Sequence, residues 1–320
     1  MYKERGLNGI ISTMINKIIF MMILIGFSVP PVFSEQLDLK TFEGKGLTIK
    51  YEQPLEGVVK KVARIYPQVK ADLEKRLRLE VTFQPTIFLI ANASAFRGMA
   101  GGNELITAFA VSRNDTIVIN YSKMEETPFD LELTVKHELC HLLLRKYIHK
   151  SHLPRWLNEG ISQWVSEGVT DIIYSDGSKI FKQAVLSNNF LALKDISLSF
   201  PRRKELFILS YEESKSFIDY LESRYGKDKL IAILYELQQG NEIENTFSSV
   251  FSVDLAKLEK DWHRHLRRKY TWIRYISDNI YWLLFFAGAI ITVIGYLHLR
   301  VRMKKYQDEE DDEENIDIGI

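Results

Sequence analysis

His137-Glu138-Leu139-Cys140-His141 places two imidazoles four residues apart inside Leu131 to Tyr147, a segment with apolar residues at helical spacing. On a helix, residues four apart lie one turn apart on the same face, so both rings can reach one metal ion. Glu138 stands beside the first ring, where its carboxylate can approach water activated by such an ion. Leu142, Leu143 and Leu144 follow directly and predict a buried helix. Cys140 falls beside the ligand face and reads as a small buried residue rather than a redox group. With seven histidines in the chain, a chance HExxH has a probability on the order of one per cent.

A catalytic zinc takes three protein ligands and keeps a fourth position open. A histidine six residues past His141 would be one source of the third ligand, but Tyr147 occupies that position. The other source is a glutamate on the following helix. Trp156-Leu157-Asn158-Glu159-Gly160-Ile161-Ser162 supplies it, with Pro154 marking the end of the connecting turn. The metal set is therefore His137, His141 and Glu159. His149 and His152 fall in the turn and read as solvated residues.

Working outward, residues 35–275 form the predicted working domain. Glu56 to Leu77 carries apolar residues at helical spacing, with Pro67 expected to kink or divide the helix. Pro85 to Ile90, Ile106 to Val111 and Thr116 to Tyr121 read as strands, the last two joined through Arg113-Asn114-Asp115. Gly98 to Asn103 reads as a loop. Helices are expected over Trp156–Glu167, Ser210–Arg224, Asp228–Gln238 and Leu255–Arg267. A small mixed or antiparallel sheet, then the HExxH helix, then a helical C-terminal part define an α+β domain.

Both ends point to a membrane. Lys3, Arg5 and Lys17 precede the apolar run Ile18 to Val29, which Pro30 and Pro31 end. Residues 1–34 therefore read as a signal peptide cleaved after Ser34, or as an uncleaved signal anchor. Residues 279–299 (NIYWLLFFAGAIITVIGYLHL) carry no charge with His298 counted neutral, and match a transmembrane helix in length. Tyr281, Trp282 and Tyr296 sit where interfacial aromatics belong. Basic residues flank this span on both sides, from Arg264 to Arg274 and from Arg300 to Lys305, so their count does not orient it. The N-terminal signal does: it sends the domain across the membrane and leaves residues 300–320 in the cytoplasm. That tail is basic and then, over residues 306–320, acidic and expected to be disordered. The basic run from Arg264 is expected near lipid headgroups.

Bulk composition agrees. The 320 residues are 46% hydrophobic and 26% charged with zero formal net charge, which gives no footprint for a nucleic-acid partner. One cysteine rules out an internal disulfide framework.

HExxH followed by WLNEG resembles the gluzincins, the group that includes thermolysin and the neutral aminopeptidases. The plan of strands, HExxH helix, NEG helix and further helices is similar to the peptidase MA-like domain of bacterial proteins. The resemblance implies one Zn²⁺ and a peptide or protein substrate, and it suggests a bacterial source, in which the domain sent across the membrane would be periplasmic or extracellular. It implies Glu138 as general base and Asn158 as a residue orienting the histidines. It also implies that Tyr211, on a later helix, stabilises the oxyanion. Gln163 stands where the thermolysin-like pattern has an aspartate. The aminopeptidase GxMEN sequence is not matched by Gly101-Gly102-Asn103-Glu104, so its amine-binding role is not carried over. The strand at Ala108-Phe109-Ala110 is a candidate for binding substrate backbone by strand addition. Two other readings stand beside the peptidase: a catalytically silent gluzincin scaffold, and a signalling protein whose acidic tail is the working part.

Overall fold

The computed structural model describes residues 38–124, 130–168, 177–270 and 279–317. The expected signal segment 1–34 lies outside these residues, as do residues 271–278, which include the end of the basic run, and the last three residues of the tail.

Five strands form one mixed sheet: β1 (Leu39–Gly44), β2 (Leu47–Glu52), β3 (Thr86–Ile90), β4 (Ala108–Val111) and β5 (Thr116–Asn120). Their order is β1-β2-β3-β5-β4. β2, β3 and β5 run parallel, and β1 and β4 add antiparallel edges. The β1–β2 hairpin was not expected from sequence. β1 is mostly exposed along its length, so it lacks the apolar alternation that betrays a strand. Gly46 turns the hairpin at φ +79, a value that glycine adopts without strain.

Helix α1 (Glu56–Leu77) connects β2 to β3 and buries Val59, Val62, Tyr66, Val69, Leu73 and Leu77. It runs on through Pro67, so of the kink or division expected there the division does not occur. The missing N–H removes one helical bond, and burial of Tyr66 and Val69 on either side of the proline offsets that loss. Helix α2 (Ala93–Met99) is capped by the Asn92 side chain and takes in Gly98, which the sequence had placed in a loop. A single turn, α3 (Tyr121–Met124), follows β5.

Helix α4 (Leu131–Tyr147) starts at Asp130, whose carboxylate accepts from the Leu133 amide at 2.9 Å. Thr134 to Leu144 are all buried, because α1, β4, β5 and α5 (Arg155–Val165) pack around the helix. Buried Lys136 pairs with Asp72 of α1 at 2.8 Å. The remaining helices are α6 (Gly177–Ser187), α7 (Lys204–Tyr225), α8 (Lys227–Gln238), α9 (Ile243–Phe251), α10 (Leu255–Lys269) and α11 (Ile280–Asp317). Trp156 of α5, Phe217 of α7, Phe247 of α9 and Trp262 of α10 meet edge-on or stacked at ring separations of 5.3–6.3 Å, which ties the helical half together.

Ile280–Arg300 is long and apolar enough to cross a membrane, with a mean hydropathy of 2.1. The helix continues to Asp317, so most of the tail expected to be disordered is helical. No glycine or proline interrupts the segment between Gly295 and Asp317, so helical register propagates beyond the apolar span.

Candidate metal centre

Helices α4 and α5 bring three donor atoms together. His137 Nε2 and His141 Nε2 lie 3.1 Å apart. Glu159 Oε2 is 3.4 Å from the latter and 3.9 Å from the former. A tetrahedral ion with bonds of roughly 2.0–2.2 Å holds its ligand atoms roughly 3.3–3.6 Å apart; the 3.1, 3.4 and 3.9 Å found here straddle that range, within a few tenths of an ångström of it. All three residues are buried, and they are the group able to hold a metal among the described residues. Glu159 Oε2 is buried without a hydrogen-bond partner, which in a folded interior calls for a cation. Burial alone would push the Glu159 carboxyl up. The facing His141 when protonated, then Arg155 and a protonated His137, outweigh it and hold the carboxyl well below the usual range.

A sequence profile of the peptidase MA superfamily matches residues 86–268, more than half of the chain. The chain belongs to the peptidase MA superfamily. Membership makes zinc the metal expected at His137, His141 and Glu159. No curated protein matches by sequence. Among solved structures, the chain is similar to yeast leukotriene A4 hydrolase bound to bestatin: 13% identity, TM-score 0.43, covering 67% of this chain and 36% of that one. It is similar to a mutant M1 zinc metallopeptidase from Deinococcus radiodurans: 11% identity, TM-score 0.44, covering 72% and 51%. It is also similar to Legionella pneumophila aminopeptidase A in complex with aspartic acid: 12% identity, TM-score 0.41, covering 70% and 27%. The chain thus spans about half or less of the length of these proteins.

In this peptidase MA chain the imidazoles are oriented by two serines that the sequence did not single out. Ser166 Oγ donates to the Ser162 carbonyl at 2.8 Å and lies 3.2 Å from His137 Nδ1. With its proton spent on the carbonyl, that hydroxyl accepts from Nδ1–H, which leaves Nε2 unprotonated for a metal. Ser162 Oγ lies 3.1 Å from His141 Nδ1. The signal was present: Ser162 and Ser166 follow Glu159 at three and seven positions, on the same helical face. Asn158 is not seen in the expected role. It is buried, and its Oδ1 has no hydrogen-bond partner among the described residues. Gln163 donates to the Tyr211 carbonyl at 3.1 Å and so ties α5 to α7.

Glu138 is fully buried on α4 beside His137. Tyr211 is buried on α7, its ring 5.1 Å from that of Phe200 and 5.2 Å from that of Phe207. Cys140 is fully buried, and desolvation pushes its thiol up to about 12. His149 and His152 lie outside the metal group; the first contacts Ser151 at 2.8 Å and the second pairs with Glu242 at 3.5 Å. Glu104 pairs with Arg97 on the surface at 3.0 Å. Gly160, next to Glu159, has a structural reason: a Cβ there would lie 2.6 Å from the Ser214 carbonyl oxygen and 2.6 Å from Ile218 of α7.

Proposed function

We propose that the chain is a membrane-anchored zinc peptidase. Its metal is held by His137, His141 and Glu159, and Glu138 is its general base. The observation that carries the proposal is the convergence of two Nε2 atoms on a Glu159 oxygen that has no other partner, with a second buried carboxylate, Glu138, next to His137 in the chain. A zinc held by His137, His141 and Glu159 would supply Lewis acidity for acidifying water and polarising the scissile carbonyl. Glu138 takes the proton from the attacking water and later delivers it to the leaving amine. Tyr211 donates its hydroxyl to the developing oxyanion. β4 is an edge strand packed beside α4, and its open edge takes an extended peptide by strand addition.

The domain of residues 35–275 is proposed to stand outside the cytoplasm, tethered by residues 279–299 and preceded by the signal segment. Tyr281, Trp282, Leu284, Phe285 and Phe286 are exposed on α11, a surface suited to lipid rather than water. Arg264, Arg267 and Arg268 are exposed on α10, close in sequence to the span, where anionic headgroups would meet them.

The test is metal analysis of the full-length chain in detergent together with peptide-library cleavage. One zinc per chain and hydrolysis lost on chelation and regained with zinc are expected. A chain that binds zinc but cleaves nothing would be a scaffold, and one that binds none would defeat the metal site itself. Tyr211→Phe is expected to lower kcat by about 10²-fold with little change in KM, as loss of one oxyanion donor does. Unchanged kcat would remove Tyr211 from the chemistry.

A further inference from the structure

The two oxygens of Glu159 have different surroundings. Oε2 faces both imidazoles, while Oε1 faces Arg155 Nε at 3.6 Å, one helical turn back on α5. We propose that Arg155 is a positioning residue that engages Oε1, so that Glu159 presents Oε2 alone to the metal. This deepens the zinc-peptidase reading and rests on it.

Arg155 is itself held from outside α5. Its amide donates to the Ser197 carbonyl at 2.6 Å, and its guanidinium lies 4.5 Å from the centre of the Phe200 ring. The segment that carries Ser197 and Phe200 is anchored in turn. The Leu191 amide donates to Glu213 of α7 at 3.2 Å, the Leu193 amide to Glu259 of α10 at 2.8 Å, and Trp156 Nε1 to Ser197 Oγ at 3.2 Å. A residue-191-to-200 brace thus fixes the guanidinium, and the guanidinium fixes the carboxylate. Arg145, one turn beyond His141, is another cation in electrostatic reach of Glu159, but it points to the Lys150 carbonyl at 3.5 Å.

The proposal makes a prediction opposite in sign to simple charge. A cation beside the ligand repels a dication, so by charge alone its removal would tighten zinc binding. As a clamp, its removal frees the carboxylate to rotate and weakens binding.

The experiment is chelator competition for zinc on the full-length chain in detergent, comparing wild type with Arg155→Gln and Arg155→Lys. Arg155→Gln is expected to raise the zinc dissociation constant by about 10–100-fold, the usual cost of losing a partner of a metal ligand. Arg155→Lys keeps the charge without the planar stack on Phe200 and is expected to fall between the two. The visible spectrum of the Co²⁺-loaded site should change in both variants, a signature that general loss of stability would not produce. Should Arg155→Gln fail to fold, Arg155→Lys carries the test. Wild-type affinity within about twofold, or tighter binding, in the folded variants overturns the clamp. A wild-type chain that binds no zinc defeats the underlying zinc reading as well, so the two failures are told apart.

Discussion

Replacing Glu138 by glutamine is expected to lower kcat/KM by about 10²–10⁴-fold, the range over which a positioned base contributes, while one zinc per chain remains bound. Glutamine keeps the shape of the side chain but has no basic oxygen to receive a proton. Glu138 lies next to His137 on α4 but is not one of the three converging donors, so ligation and chemistry should separate. The substitution also removes a charge from a site with no solvent exposure, so the folded chain should not suffer. Peptide-cleavage kinetics with zinc analysis of the same sample checks both halves. Retained hydrolysis would take the proton transfer away from Glu138, and loss of zinc would make it part of the ligand structure instead.

Gly160→Ala is expected to destabilise the chain by about 3 kcal/mol, at the upper end of what overpacking costs. The new methyl would meet a backbone carbonyl on α7, which cannot rotate away as a side-chain tip can. α5 and α7 would have to separate, and Glu159, the neighbouring residue, would move with α5. Zinc affinity should therefore fall together with the melting temperature of the full-length chain. Gly57→Ala is the control: nothing lies within 4 Å of a Cβ there, and that site on α1 should be neutral or slightly stabilised. Equal melting temperatures for the two variants would show that the α5–α7 contact yields more easily than its geometry implies.

The ligand set was legible because metal chemistry constrains both residue type and helical spacing. His137 and His141 had to share a face, and Glu159 was the acidic residue on the next helix at a workable distance. Superfamily membership follows from the same segment and its surroundings. Serine hydroxyls that steady a ring leave no comparable trace. Ser162 and Ser166 look like ordinary polar positions until the α4–α5 contact places them against the imidazoles. Asn158 was favoured on resemblance, and the packing gave its expected partners to those serines. β3 and β5 announced themselves through runs rich in β-favouring residues, whereas the β1–β2 hairpin did not: β1 faces solvent along most of its length, and β2 buries only Leu47 and Ile49 of its six residues. α6 and α9 are short, and their burial against α10 and α8 is a tertiary fact. Pro67 does not divide α1 for a related reason: a local rule about helix breaking yielded to burial on both sides of it.

Cys140, between the two imidazole positions in sequence, is sealed from solvent and holds its proton far above neutrality. The chain has no second sulfhydryl. Mixed disulfides, alkylating agents and mild peroxide therefore find no handle beside the ligands, and the centre should work equally well in a reducing or an oxidising compartment.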